Sequence, residues 1–307
     1  MNNPILKTTN LSKAFKKHQV LDHVSIECKQ GRIYGLIGVN GAGKTTLMKC
    51  ITGFSFPSSG SVMLFGENNQ KKMQQERTRI GCMIESPAIE PNMTAKENLT
   101  FQRLLRGIPN EEIEQELLET VGLAQINKKK AKDFSLGMKQ RLGIAIALLS
   151  NPELLILDEP VNGLDPIGVV EIRQLLKRLC EERQLTILIS SHNLPELYQT
   201  ATDYIFIHQG KVVKQITLDQ LDEACRQYIR IECENPAHCA SVLESKLQTT
   251  NFKVMPNGMI KLYDCLQQLG HISTTLVHEG VILTAFNLQG DTLENYFLAL
   301  IGGEQHV

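Results

Sequence analysis

The chain has 307 residues, 42% of them hydrophobic and 21% charged, with a formal net charge of −1. That length holds one large domain or two modest ones. The balanced charge excludes long-range attraction to nucleic acid or to an anionic membrane surface, and no apolar run reaches the roughly 18 residues of a spanning helix.

Eight cysteines are present without a C-x-x-C pair, and the N-terminus carries no charged-then-apolar signal segment. Reduced thiols, as in a cytosolic protein, are expected.

In chain order, Leu6 to Ser12 and Val20 to Cys28 read as two strands around a turn at Lys16-Lys17-His18-Gln19, with Val24, Ile26 and Cys28 alternating with polar residues. Ile33 to Ile37 predicts a strand feeding Gly38-Val39-Asn40-Gly41-Ala42-Gly43-Lys44-Thr45-Thr46. Gly, four residues, then Gly-Lys-Thr is a phosphate-loop pattern. Glycines let backbone N–H groups curl around an anion, and the helix that follows, over Thr46 to Thr52, adds its positive end. Lys44 reaches the outer phosphates and Thr45 offers a hydroxyl to Mg²⁺. A glycine-rich turn with a chance Lys-Thr is the alternative reading.

Gly60 to Phe65 predicts a strand, followed by a turn at Gly66-Glu67-Asn68-Asn69, and Ile80 to Ile84 a short buried strand. The period then changes. Thr94-Ala95-Lys96-Glu97 forms a capping box ahead of Leu99, Phe101 and Leu104. Ile113, Leu117, Leu118 and Val121 share one helical face, and Leu142 to Leu149 is a nearly all-apolar helix. A helical insert is therefore expected over about 90–150.

Leu154 to Leu157 and Thr186 to Ile189 are continuous apolar runs, as in parallel strands covered on both faces. Gly168 to Gln184 reads as an amphipathic helix between them. Tyr204 to His208 and Lys211 to Ile216 form a hairpin around Gln209-Gly210. From Thr217 the character shifts. A strand at Tyr228 to Cys233, a helix started by Asn235-Pro236, a hairpin around Asn257-Gly258, a strand at Val281 to Phe286 and a helix started at Asp291-Thr292 predict a small α+β domain. The expected domains are 1–216 and 217–307.

The first apolar run ends in Asp158-Glu159-Pro160. A buried strand ending in acid presents a carboxylate to Mg²⁺ beside bound phosphates, and a second carboxylate next to it is placed to activate a water. Two solvated acids at a strand end are the bland alternative.

With the phosphate loop, this pattern resembles the ATP-binding subunits of ABC transporters. The resemblance implies an α/β phosphate-loop NTPase core with an antiparallel β subdomain and a helical subdomain. The family signature Leu-Ser-Gly-Gly-Gln corresponds to Phe134-Ser135-Leu136-Gly137-Met138, where Ser135 and Gly137 are kept and three positions differ. Asn162-Gly163-Leu164-Asp165 matches the loop that crosses between subunits, and His192 the switch histidine that contacts the γ-phosphate. Phe15 takes the place of the aromatic that stacks on adenine, with an ordinary core or hairpin residue as the alternative. Where the family has Gln, this chain has Glu85, a charged metal ligand in place of a neutral one. Glu85 and the Ser-Leu-Gly-Met-Lys-Gln-Arg wording resemble the exporters that protect bacteria against lantibiotics and bacitracin.

The resemblance implies the following roles. Glu159 and His192 are catalytic. Phe15, Asn40, Gly41, Gly43, Lys44, Thr45, Thr46, Glu85, Ser135, Gly137 and Asp165 bind ATP. Thr45, Asp158 and Glu85 hold Mg²⁺. It further implies ATP-driven homodimers, a separate integral membrane permease, no nucleic acid partner, and a place at the cytoplasmic face of the bacterial plasma membrane. Export of an ion, lipid or polysaccharide, or a soluble ABC ATPase outside transport, are the competing readings. Residues 217–307 match this branch only loosely, and a structural cap, a dimer pin, a permease contact or a ligand sensor all fit them.

Overall fold

The computed structural model describes residues 4–126, 128–290 and 293–302, and it divides into two units, Met1–Leu218 and Asp219–Val307. The first unit opens with β1 (Leu6–Phe15), β2 (His18–Val24) and β3 (Glu27–Cys28). The single strand expected over Val20 to Cys28 is interrupted. His23 takes a left-handed φ of 52°, and the Thr8 hydroxyl fills the break. It donates to the Val24 carbonyl at 3.0 Å and accepts from the Ile26 N–H at 3.1 Å.

The chain continues through β4 (Ile33–Ile37), α1 (Lys44–Thr52), β5 (Ser59–Leu64), α2 (Gln70–Arg77) and β6 (Ile80–Met83). The sequence reading has no counterpart of α2. Its residues are polar apart from Met73, so no apolar period announces it. β6 alternates half-buried and buried positions and is not buried throughout as expected. The insert follows as α3 (Ala95–Leu105), α4 (Glu112–Thr120) and α5 (Leu136–Leu148). The capping box forms, with the Thr94 hydroxyl accepting from Glu97 N–H and the Glu97 carboxylate accepting from Thr94 N–H. α5 begins six residues before the expected Leu142, because Ser135 caps it by accepting from Met138 N–H.

The unit ends with β7 (Leu154–Leu157), α6 (Pro166–Arg183), β8 (Thr186–Ser191), α7 (Leu194–Tyr198), β9 (Asp203–His208) and β10 (Lys211–Thr217). Its main sheet has the order β10-β9-β4-β8-β7-β6, parallel except for the β9–β10 hairpin. β1 pairs with β2, β3 and β5 in antiparallel fashion. β4, β7 and β8 are buried along their whole length, which matches their continuous apolar runs. In register, Ile37 lies opposite Ser191, Ile189 opposite Leu157 and Leu157 opposite Met83. Four strands therefore end together at one edge.

α8 (Leu218–Cys225) leads into the second unit, which runs β11 (Tyr228–Cys233), α9 (Pro236–Ser245), β12 (Phe252–Val254), β13 (Ile260–Leu262), α10 (Leu269–His278), β14 (Leu283–Gln289) and α11 (Leu293–Gly302). The order β12-β13-β11-β14 with two crossing helices is a split β-α-β arrangement. Ile229, Ile231, Leu243, Leu262, Ile272 and Leu276 form its core. The expected helix start at Asp291-Thr292 lies outside the described residues.

All eight cysteines are free. Burial raises the thiol pKa of Cys28, Cys50, Cys82 and Cys180, and with Cys233 alongside it pushes Cys239 up to about 12. The thiolate is the nucleophile, so these groups react slowly at neutral pH. Alkylation of the native protein followed by mass mapping should label exposed Cys265 first and leave Cys28 and Cys239 unmodified until unfolding. Equal labelling of Cys28 and Cys265 would contradict the burial described here.

Candidate functional site

Lys44, Thr45, Asp158, Glu159 and His192 gather at the edge where β4, β6, β7 and β8 end. Gly38 to Gly43 turn from β4 into α1, and Gly43 caps that helix with φ of 107°. A side chain there would strike Leu21 Cδ2 at 2.8 Å and the Val20 carbonyl at 3.0 Å, so the turn admits glycine alone. The loop encloses a cavity of about 180 Å³ lined by Val20, residues 40–46 and Glu159. Asn40, Gly41, Gly43, Lys44, Thr45 and Thr46 all line it, with the positive end of α1 directed at it.

Lys44 is buried in this loop. Its ammonium donates to the carbonyls of Gly38 and Val39, at 2.7 and 3.4 Å, and pairs with Glu159 Oε1 at 3.3 Å. The other oxygen of Glu159 lies 2.9 Å from His192 Nδ1. Lys44, Glu159 and His192 thus form a chain of contacts across the ends of β4, β7 and β8. A second, smaller cavity of about 70 Å³ is lined by Glu159, Asn162, Gly163, Ser191 and His192. Glu159 stands between the two cavities, and its backbone is left-handed, with φ of 46°. For a glutamate that is a strained conformation, of a kind that clusters at functional sites.

Asp158 is buried and tied on both oxygens. The Thr45 hydroxyl donates to Oδ2 at 2.7 Å and the Ser190 hydroxyl to Oδ1 at 2.6 Å. Ser190 Oγ also accepts the Glu159 N–H at 2.9 Å. Ser190 had no role in the sequence reading. Its available signal was its place as a polar residue closing a buried apolar strand.

The remaining expected site residues lie elsewhere in the single chain. Phe15 sits at the β1–β2 turn, half exposed, with the Lys13 ammonium 4.7 Å from its ring centre. Glu85 has a left-handed backbone, φ of 66°, and pairs with Lys49 at 2.5 Å, one helical turn beyond Thr45 on α1. Asp165 caps α6 by accepting from Gly168 N–H at 2.9 Å. Ser135 caps α5, and Gly137 follows in its first turn. None of these five lines either cavity. Among the described residues no cluster of three or more His, Cys, Asp or Glu side chains could hold a metal.

A family model for ABC transporters matches residues 21–162. The chain is also 42% identical to the bacitracin transport ATP-binding protein BcrA of Bacillus licheniformis over 299 residues, covering 97% of this chain and 98% of that one. It belongs to the ABC transporter ATP-binding family. The lantibiotic transport ATP-binding protein SrtF of Streptococcus pyogenes is 42% identical over 215 residues, 70% of this chain and 92% of that one. Among solved structures, a dimeric post-hydrolysis ATP-binding cassette with ADP and Pi superposes with a TM-score of 0.63 at 25% identity, over 69% of this chain and 98% of that one. CbiO1 of Clostridium perfringens, part of an ABC transporter complex, gives 0.66 at 27% identity, over 72% and 91%. The chain is an ATP-binding ABC ATPase.

Replacing Ser190 with Ala would leave Asp158 Oδ1 and the Glu159 N–H without their shared partner. Buried groups left unpaired cost about 1–3 kcal/mol. Urea unfolding of Ser190→Ala should show a loss of that size, and an unchanged midpoint would remove Ser190 as the clamp.

Proposed function

We propose that this chain hydrolyses ATP as a homodimer and energises a separate membrane permease that exports an antimicrobial peptide of the bacitracin type. The observation that carries the cargo is the extent of similarity. The match to the bacitracin protein spans 97% of the chain and so takes in most of the second unit, whereas the match to the lantibiotic protein spans 70%. No helix among the described residues is long and apolar enough to cross a membrane, so the reading places the span in the permease and this chain at the cytoplasmic face.

The site residues support the following division of work. Lys44 holds the outer phosphates, supported by the N–H groups of residues 41–46. Hard oxygens on Thr45 and Asp158, already 2.7 Å apart, suit Mg²⁺ and would hold it. When bound, the cation neutralises phosphate charge. Glu159 accepts a proton from the attacking water, and His192 at 2.9 Å orients its carboxylate. The Lys44–Glu159 pair is the resting arrangement, and a triphosphate competes for Lys44, freeing Glu159 for the water.

Ser135 and Gly137 are assigned to a second copy's nucleotide, facing its γ-phosphate from the N-terminus of α5, with Asp165 in the crossing loop. Phe15 is assigned to the adenine. Glu85 is assigned to coupling with the permease and, once freed from Lys49, to the metal.

The deciding experiment uses Glu159→Gln. Hydrolysis should fall by about 10²–10⁴-fold, the range for a general base, while ATP affinity is kept and size-exclusion chromatography shows an ATP-dependent dimer. Full turnover in that variant, or hydrolysis by strictly monomeric protein, refutes the reading.

A further inference from the structure

Phe15 closes β1 at the hairpin turn and is 51% exposed, although phenylalanine is normally buried. The hairpin that carries it reaches the nucleotide site. Lys13 lies opposite Leu21 and Ala14 opposite Gln19, so Val20 is an extra residue on β2, a bulge. Val20 lines the cavity of the phosphate loop. A half-exposed aromatic ring therefore stands on the same hairpin as one wall of that cavity.

The end of β1 is also tied to the loop that precedes β5. The Ser58 N–H donates to the Ser12 carbonyl at 2.7 Å, the Ala14 N–H donates to Ser58 Oγ at 3.0 Å, and the Lys13 ammonium donates to the Phe56 carbonyl at 2.7 Å. The same ammonium stands 4.7 Å from the centre of the Phe15 ring. Among the described residues no carboxylate pairs with it. A lysine side chain is long and mobile, and this one is held at two points, a carbonyl and a ring face. The ring quadrupole attracts a cation to that face. Lys13 thus takes up part of the Phe15 ring, and the exposed half of the residue leaves surface for a second flat group.

We propose that Lys13 is a positioning residue for the base of the nucleotide: its ammonium, anchored on the Phe56 carbonyl, holds the Phe15 ring in the orientation at which adenine stacks. The inference rests on the proposed assignment of Phe15 to adenine, and it adds the group that steadies a half-exposed ring. Two observations favour this role over a lysine that only braces the loop before β5. The two bonds of Ser58 already make that brace without a charge. A brace also has no need of an ammonium over the ring, where the cation and the aromatic face attract each other.

The test compares ADP with pyrophosphate, which lacks the base, in calorimetric titrations of the full-length protein with Mg²⁺ present. Neither titration depends on ATP hydrolysis, so the role of Glu159 does not enter. Lys13→Gln, which removes the charge, should weaken ADP binding about two- to fivefold, the size of an exposed cation–π contact, and leave pyrophosphate binding unchanged. Lys13→Arg, which keeps a cation for the ring, should bring ADP affinity back to within about twofold of the parent. In a Phe15→Ala background, where ADP binding is weakened in its own right, Lys13→Gln should have no further effect, because the two side chains act as one unit. Pyrophosphate weakened as much as ADP would make Lys13 a structural brace. That outcome overturns the inference and leaves Phe15 in place, as does unchanged or tighter ADP binding by Lys13→Gln, or a loss that persists in the Phe15→Ala background. Undiminished ADP binding by Phe15→Ala alone instead removes the adenine assignment, and the role of Lys13 falls with it.

Discussion

Everything at the site hangs on the parallel register of four buried strands. β4, β8, β7 and β6 are aligned so that Ile37, Ser191 and Ile189, Leu157 and Met83 fall in line, and the residues that follow them are the phosphate loop, His192, Asp158-Glu159 and Glu85. A slip by one residue would turn side chains between faces that are both packed, which the core does not allow. The pairing even runs into the chemistry, since the Asp158 N–H donates to the Met83 carbonyl at 2.9 Å. The Ser190 hydroxyl then joins β7 to β8 where the backbone ladder stops. The acids are held in place by an extension of the sheet and not by a flexible loop.

That rigidity sets the electrostatics. Lys44 has little water, so its charge is met by two carbonyls and by Glu159. Glu159 in turn is shared with His192, and its backbone stays in a left-handed conformation because the Ser190 oxygen takes its N–H. A buried ammonium pairs with whatever negative charge it can reach. A triphosphate brings more charge than one carboxylate, so under the proposed function nucleotide binding and release of Glu159 would be one exchange of counter-ions around a fixed lysine.

The elements legible in the sequence were those with a strong period or an unambiguous cap. The runs Leu154 to Leu157 and Thr186 to Ile189, the Thr94 capping box and the Asn235-Pro236 start have a single physical interpretation each. What escaped was structure held by tertiary contact. α2 buries Met73 and little else, and α10 is rich in β-branched residues that disfavour helix in isolation. The site divides in the same way. Lys44, Thr45, Asp158, Glu159 and His192 are brought together by strand ends, and strand ends can be read from apolar runs. Ser190 escaped because a serine closing a strand looks the same whether it clamps two acids or faces water. The Lys49 contact of Glu85 escaped because pairing between α1 and the end of β6 leaves no trace in local sequence.

Gly137 shows where the single chain runs out of reasons. Glycine inside a helix is less favourable than alanine by about 1 kcal/mol. The fold does not require it there. Its φ is not among the left-handed ones, and a Cβ would meet Leu164 Cδ2 at 3.7 Å, an ordinary contact. Ser135, two residues earlier, is exposed, and its hydroxyl accepts Met138 N–H at 3.3 Å, a long cap bond that leaves its own proton available. Compare Gly43, where a side chain would strike Leu21 and the Val20 carbonyl. One glycine is explained by its own chain and the other is not. Under the proposed function, a second copy approaching α5 with a nucleotide between them would supply the missing reason. The close approach that Gly137 permits would then be to a phosphate, and the free proton of Ser135 would have an acceptor.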